Sequence, residues 1–268
     1  MRVCILTSNK TRHRYMANRI AKRFNVVGVF SEAKQPKRHL AEKVKHQDLE
    51  GAEEIATYLN GFAEAEKRYL MPAGFEFDLP KGVPMFRVDP DRLNEPELRQ
   101  TILSLKPDCF AVFGTSLVRQ DLLDLSPCFT NIHLGLSPYY RGVACSFWPF
   151  FNNEPEYVGV TVFYLDAGID SGPIIHQGLV DLDPGDGIHD ASVKAILTGV
   201  DLQIKALEER AESSIVAHPQ NLDIGRVYYN RDFTVHALRD CLSRWDEEAM
   251  LRYVENQHGP KGRVRFIP

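Results

Sequence analysis

The 268-residue sequence contains no C-x-x-C pair, no internal repeat, no low-complexity stretch and no long apolar run. Its five cysteines, Cys4, Cys109, Cys128, Cys145 and Cys241, are odd in number and widely spaced, which speaks against a zinc ribbon, a redox motif or a disulfide framework. The expectation is a reduced, intracellular chain whose core needs no metal and no covalent staple. The opening MRVCILTSNKTRHRYM offers only about five apolar residues before polar ones begin, too few for a signal-peptide core. No segment approaches the ~18 apolar residues that cross a bilayer, so the cytoplasm is the expected compartment and no membrane partner is foreseen. The first turn, Thr7-Ser8-Asn9-Lys10, has neither G-x-G-x-x-G nor G-x-x-x-x-G-K-[ST], which counts against dinucleotide and Walker-type nucleotide chemistry.

What is present is ordinary globular composition, 44% hydrophobic, 25% charged and 10% aromatic, and this excludes disorder and fibrous architectures. The formal net charge of −4 conceals an asymmetry. Residues 10–45 hold eleven Lys and Arg against Glu32 and Glu42, a local +9 beside −13 elsewhere. Such a segment suits a phosphorylated ligand, or simply the wet face of a helix over 12–24. Aromatics are not interleaved with these charges, so nucleic acid is not favoured as a partner.

Alternation of apolar runs with helical periodicity predicts a βαβ opening: strand Arg2–Thr7, helix 12–24 with Tyr15, Ile20 and Phe24 on one face, strand Asn25–Phe30. Residues 36–70 read as helical, Val83–Val88 as a strand, Glu95–Leu105 as a helix and Asp108–Phe113 as a buried strand. Phe129–His133, Tyr157–Leu165 and Ile174–Asp181 read as strands, and Val143–Phe151 and Gly187–Ala211 as helices. The pattern predicts an α/β, doubly wound, Rossmann-like and mostly parallel sheet over residues 1–211, with a short C-terminal extension over 212–268. Ligands of such sheets sit beyond the carboxyl ends of the strands, here the loops after residues 7, 113 and 133.

At the first of these loops, Ser8, Asn9, Lys10 and Arg12 precede or open a helix whose free N–H groups can accept an anion, or Ser8 and Asn9 simply cap it. At the third, Asn131 and His133 are two apart on a strand and so share a side. An amide and an imidazole facing one space can serve as oxyanion donor and proton carrier, or the histidine can be a satisfied core residue. The combination with Leu136-Ser-Pro138, Arg141-Gly142, Gly159-x-Thr161 and Asp166-Ala-Gly-Ile-Asp170-Ser-Gly172-Pro narrows this choice.

That combination resembles the formyltransferase family that uses 10-formyltetrahydrofolate, whose members act on glycinamide ribonucleotide, methionyl-tRNA or amino sugars. The resemblance implies a formyl-transfer enzyme with a folate cosubstrate and no metal. It assigns Asn131 to the formyl oxygen, His133 to proton movement, and Asp170 to orienting His133 or a relaying water. It places the pterin between the stretches Ser116-Leu117-Val118 and Asp166-Ala167-Gly168-Ile169, read through backbone groups. Tyr139, Tyr140 and Arg141, beside the catalytic strand, are the expected acceptor contacts together with Ser8, Asn9, Lys10 and Arg12; Trp148 reads as core.

Departures from the family pattern guide the choice of acceptor. Gly135-Leu136-Ser137-Pro138 stands where Ser-Leu-Leu-Pro is common, Ser8-Asn9-Lys10-Thr11 replaces the glycine-rich loop of the ribonucleotide enzymes, and the tail after Ala211 is short for the barrel of the tRNA enzymes. By elimination the expected acceptor is the amine of a nucleotide-linked amino-deoxysugar. Methionyl-tRNA or glycinamide ribonucleotide transfer, hydrolysis of the folate itself, and non-catalytic folate or nucleotide binding are the alternatives. The resemblance gives the hydrolases an N-terminal regulatory domain, whereas this sequence opens on its first strand. Gly225–Phe233 reads as an aromatic strand at the substrate cleft or at a homodimer interface, between which the residues do not choose.

Overall fold

A computed structural model of the chain describes residues 1–34 and 49–266. Lys37, Arg38, Glu42, Lys43 and Lys45 of the basic segment lie outside the described residues. The element order is β1 (Arg2–Ser8), α1 (Thr11–Ala21), β2 (Asn25–Glu32), α2 (Leu49–Leu70), β3 (Met85–Val88), α3 (Pro96–Ser104), β4 (Cys109–Val112), α4 (Gln120–Leu123) and β5 (Phe129–His133). It continues with β6 (Tyr140–Gly142), α5 (Trp148–Phe151), β7 (Gly159–Tyr164), β8 (Ile174–Leu179), α6 (Ile188–Ala211), β9 (Arg226–Tyr228), α7 (Val235–Arg244), α8 (Glu247–Asn256) and α9 (His258–Lys261).

Seven strands form one sheet in the order β3-β2-β1-β4-β5-β7-β8, parallel from β3 to β5, with β7 antiparallel to both its neighbours. The strand order reverses between β1 and β4, which puts the topological switch beside the loops after Ser8 and Val112. Both faces are covered, so the strands are apolar on both sides. Val3 and Ile5 meet Met16 and Ile20 of α1 and Ile196 and Val200 of α6 on one face; Cys4 and Leu6 meet Phe30, Phe110, Phe129 and Ile102 on the other. Gln203 of α6 is fully buried, and its Nε2 donates to the carbonyls of Val112 (3.2 Å) and Thr130 (3.1 Å), pinning the helix across β4 and β5. Among the described residues no helix is long and apolar enough to cross a membrane.

Three local expectations are corrected. The helix expected over Val143–Phe151 is confined to Trp148–Phe151, because Gly142 (φ +96°) and Ala144 (φ +58°) take left-handed conformations that no helix continues through. The aromatic strand expected from Gly225 shortens to Arg226–Tyr228, and it pairs in parallel with β6, a three-residue strand too short to announce itself. The expectation of unpaired thiols fails for Cys109 and Cys128, which form a disulfide with Cα atoms 4.8 Å apart. Cys109 opens β4 and Cys128 immediately precedes its neighbour β5, with Phe110 N–H donating to Cys128 O at 2.7 Å, a proximity that 19 residues of separation conceal. Cys4, Cys145 and Cys241 are free and buried.

Candidate active site

Strand β5 carries Asn131 and His133 to the carboxyl edge of the sheet. Asn131 is half-buried and makes no side-chain hydrogen bond among the described residues. The imidazole of His133, only 7% exposed, is held at both nitrogens: Nε2 lies 2.9 Å from the Tyr140 carbonyl and Nδ1 lies 3.2 Å from Asp170 Oδ2. A carbonyl oxygen only accepts, so Nε2 is the donor, and the Nδ1–Oδ2 contact is bonded only when a further proton lies between ring and carboxylate. The same Oδ2 accepts from Gly142 N–H at 2.9 Å, whereas Oδ1 of Asp170 makes no hydrogen bond among the described residues. His133 and Asp170 are thus held face to face, an imidazole nitrogen against a carboxylate oxygen.

Backbone economy around this pair explains several small residues. A Cβ on Gly135 would stand 2.4 Å from His133 Nε2 and 2.7 Å from the Tyr140 carbonyl, so only glycine leaves that hydrogen bond intact. Thr161, fully buried on β7, donates to Gly135 O (2.8 Å) and accepts from Ser137 N–H (2.9 Å), fixing the loop after His133. Asp166 accepts from Gly168 N–H (3.0 Å) and Ser171 Oγ (2.8 Å), closing the loop that ends at Asp170.

Two cavities meet at His133, and His133, Leu134, Gly142 and Val143 line both, whereas Asp170 lines the first alone. The first, of about 390 Å³, runs over Gly114–Val118 and Asn131 to Asp166, Gly168, Ile169 and Asp170. Its flanks expose Leu117 (59%) and Ile169 (45%), two large apolar side chains that a flat ring can cover. The second, of about 340 Å³, is walled by Ile55, Tyr58, Leu59, Phe62, Phe147 and Phe233, with Arg12, Ser146, Ser192 and Asn230 as its polar groups. Arg12 binds Glu66 at 2.6 Å and lies over the Phe62 ring, 5.3 Å from its centroid. Cys145 also lines this cavity, but burial, with Asp170 nearby, pushes its thiol pKa well up and leaves no thiolate nucleophile at neutral pH.

The structure brings Asn131, His133 and Asp170 together, with Ser116, Leu117, Val118, Asp166, Gly168 and Ile169 around the first cavity and Arg12 at the second. Ala167 lies apart, beside Gln120 and Leu123. The backbone groups expected to read a ring are partly spent: Glu32 accepts from Ser116 N–H (2.6 Å) and Oγ (2.7 Å), and Asn94 Nδ2 donates to Leu117 O (2.8 Å). Ser8 is fully buried, Lys10 bonds through its N–H to His13 Nδ1 (3.3 Å), and Asn9 faces a separate cleft with Arg14 and Arg87. Tyr139 and Tyr140 line a third cleft of about 470 Å³, where Tyr140 Oη bonds Glu154, and Arg141 donates to Leu222 O (3.3 Å). Tyr140 thus serves the site through its carbonyl. Tyr58 and Phe62 escaped the sequence reading, although their spacing of four on a helix is the signal of a shared face.

A family model described as "Formyl transferase" matches residues 1–199. Among curated relatives, methionyl-tRNA formyltransferase of Kosmotoga olearia is 30% identical over 205 residues, 75% of this chain and 56% of its own length. The enzyme of that name from Desulforamulus reducens is 34% identical over 137 residues, 50% of this chain and 43% of its own. The chain thus spans about half the length of these relatives. Among solved structures, WlaRD, a sugar 3N-formyl transferase, aligns with TM-score 0.56 at 17% identity, covering 87% of this chain and 71% of its own. Glycinamide ribonucleotide transformylase 1 of Symbiobacterium toebii aligns with TM-score 0.55 at 18% identity, covering 82% and 94%. The Helicobacter canadensis N-formyltransferase in complex with folinic acid and dTDP-3-aminofucose does so with TM-score 0.55 at 18%, covering 87% and 72%.

Proposed function

The chain belongs to the formyl transferase family, and from that premise we propose that it moves a formyl group from 10-formyltetrahydrofolate to the primary amine of a nucleotide-linked amino-deoxysugar. The observation that carries the reading is that His133, paired with Asp170, lines both cavities, so that a donor in one and an acceptor in the other can reach the same imidazole. The cavity over Leu117, Val118 and Ile169 fits the flat, partly apolar donor, and folate-bound neighbours of the same fold support that assignment. When bound there, the donor supplies the formyl carbon and a nitrogen that departs once the amine has attacked.

This chain's residues would act as follows. The uncommitted amide of Asn131 donates to the formyl oxygen, where negative charge develops. The acceptor nitrogen loses a proton to the His133–Asp170 pair, which takes it at Oδ1, and the pair gives a proton to the departing nitrogen, so that its own protonation is unchanged over one turnover. The Tyr140 carbonyl and Gly142 N–H hold ring and carboxylate in register throughout. No covalent intermediate is required, in keeping with the neutral thiol of Cys145.

The acceptor assignment rests on the second cavity. Aromatic walls stack well on the C–H face and methyl group of a deoxysugar, and Arg12, Asn230 and two serines make up its polar lining. The same apolar walls suit a methionyl side chain, and the curated relatives carry that name, so methionyl-tRNA is the second reading. The test incubates the protein with 10-formyltetrahydrofolate and, separately, nucleotide-linked amino-deoxysugars, methionyl-tRNA, glycinamide ribonucleotide or water. Free tetrahydrofolate and the formylated product are followed by mass spectrometry. Formylation of an amino sugar supports the proposal; formylation of another acceptor alone, or folate release in water alone, overturns it.

A further inference from the structure

The family match ends at residue 199, yet the stretch from His218 to Tyr228 touches each segment that holds His133. His218 exchanges backbone hydrogen bonds with Ile174 (2.7 and 2.8 Å), just beyond the Asp170 loop. Two residues on, Gln220 Nε2 donates to the carbonyls of both Asp170 (2.9 Å) and Gly172 (2.7 Å). Leu222 O receives Arg141, and Gly225, with φ +76°, packs so closely on Pro138 and Tyr139 that a Cβ would lie 2.1 Å from the Pro138 carbonyl. Arg226 N–H then donates to Tyr139 O (2.8 Å), and Val143 N–H to Tyr228 O (2.8 Å). One strap therefore ties the loop that presents the Asp170 carboxylate to the segment that presents the Tyr140 carbonyl and the Gly142 N–H.

Asp170 turns within this strap. It takes φ +48°, a left-handed conformation that aspartate and asparagine adopt more readily than other L residues, and the contacts around it fix where its carboxylate then points. Its carboxylate meets His133 and Gly142 in that conformation, and the two carbonyls gripped by Gln220 bracket the turn. The opposite end of the amide, Oε1, is buried without a partner among the described residues. Burying an unpaired acceptor is unfavourable, so the two carbonyl contacts outweigh it.

We propose that Gln220 is a positioning residue for formyl transfer: by bridging Asp170 O and Gly172 O it sets the turn that aims Asp170 Oδ2 at His133 Nδ1. The proposal rests on transfer taking place at the His133–Asp170 pair, and its test has one arm that needs no transfer at all. In Gln220→Leu the side chain keeps its bulk and loses its donor. The ¹⁵N resonance of His133 Nδ1, assigned by its loss in His133→Ala, is expected to move in Gln220→Leu in the direction it moves in Asp170→Asn. In the transfer assay kcat is expected to fall about 10- to 100-fold, as for a misplaced catalytic group, with KM for the donor within about 3-fold and the melting temperature lower by only a few degrees, the cost of two lost hydrogen bonds. Combined with Asp170→Asn, the substitution adds little, because both act through one carboxylate. An unmoved resonance with unchanged kcat, or losses that multiply in the double variant, overturns the proposal. Should Gln220→Leu fail to fold, Gln220→Met, which keeps the length of the side chain, adds no charge and donates to neither carbonyl, carries the same comparison. A resonance that moves as expected in a protein that formylates none of the acceptors overturns the proposed function and leaves the positioning of Asp170 by Gln220 standing.

Discussion

Replacing Asp170 by Asn isolates the charge of the carboxylate from its shape. Asn is among the few residues that tolerate a left-handed φ, so the +48° turn survives, whereas Ala there would confound chemistry with strain. The amide oxygen can still accept from Gly142 N–H, since Oδ2 makes that bond at 2.9 Å. What disappears is the negative charge 3.2 Å from His133 Nδ1, on a ring whose other nitrogen already donates to Tyr140 O. A hydrogen bond to a charged group is worth about 1.5–3 kcal/mol, which converts to roughly 10- to 150-fold in rate. Loss of the proton-accepting Oδ1 adds to this, and general acid–base catalysis as a whole contributes about 10²–10⁴-fold. We expect kcat to fall roughly 10²- to 10³-fold, with KM for both substrates within about 3-fold and an unchanged melting temperature. Steady-state assays with mass-spectrometric product detection read all three. A folded Asp170→Asn protein with kcat within about 3-fold of the parent would refute the assignment of the pair as the acid–base unit.

Further outcomes follow from particular contacts. Gly135→Ala forces a Cβ to within 2.4 Å of His133 Nε2, so the Tyr140 carbonyl bond breaks and transfer falls by at least about 10-fold; retained activity would show that this bond is dispensable. The Cys109–Cys128 disulfide closes a loop of 19 residues, for which chain entropy predicts about 3 kcal/mol of stability; urea unfolding with and without reductant, and of Cys128→Ser, should show a loss of that order. His13 is 1% exposed, and burial, reinforced by Arg12, Lys34, Lys10 and Arg14, holds its pKa well below 6.5. The unfolded chain therefore takes up a proton on His13 that the folded one refuses. Its contribution to stability is complete above pH 6.5 and is lost as pH falls below that value, by up to about 1.4 kcal/mol per unit. Stability measured from pH 7.5 to 5 should fall less steeply for His13→Gln than for the parent, and equal slopes would contradict the buried neutral imidazole.

The central sheet was legible because its strands are buried on both faces, so that runs such as Val3–Leu6 and Phe110–Val112 stand out against the polar helix faces between them. Asn131 and His133 were legible for a related reason: a spacing of two on a strand puts both side chains on one side, and the family pattern selects that side. The second cavity was not. Its walls come from α2, from the irregular turns around Ala144 and from residues near Phe233, which approach one another only through the fold. Tyr139, Tyr140 and Arg141 show the opposite limit. Adjacency to β5 in sequence suggested acceptor contacts, but pairing of β6 with β9 turns the two tyrosines into another cleft and leaves the candidate site the carbonyl of Tyr140. The disulfide and the bridge from Gln220 to Asp170 join residues 19 and 50 apart, distances at which one sequence carries no pairing signal.

Initial rates with both substrates varied test the meeting of the two cavities at His133 most directly. With the acceptor that the panel identifies and 10-formyltetrahydrofolate, direct transfer between simultaneously filled cavities gives double-reciprocal lines that intersect. Parallel lines, with formyl label retained on the protein after the donor is removed, would place a covalent enzyme intermediate between the two half-reactions and contradict the account.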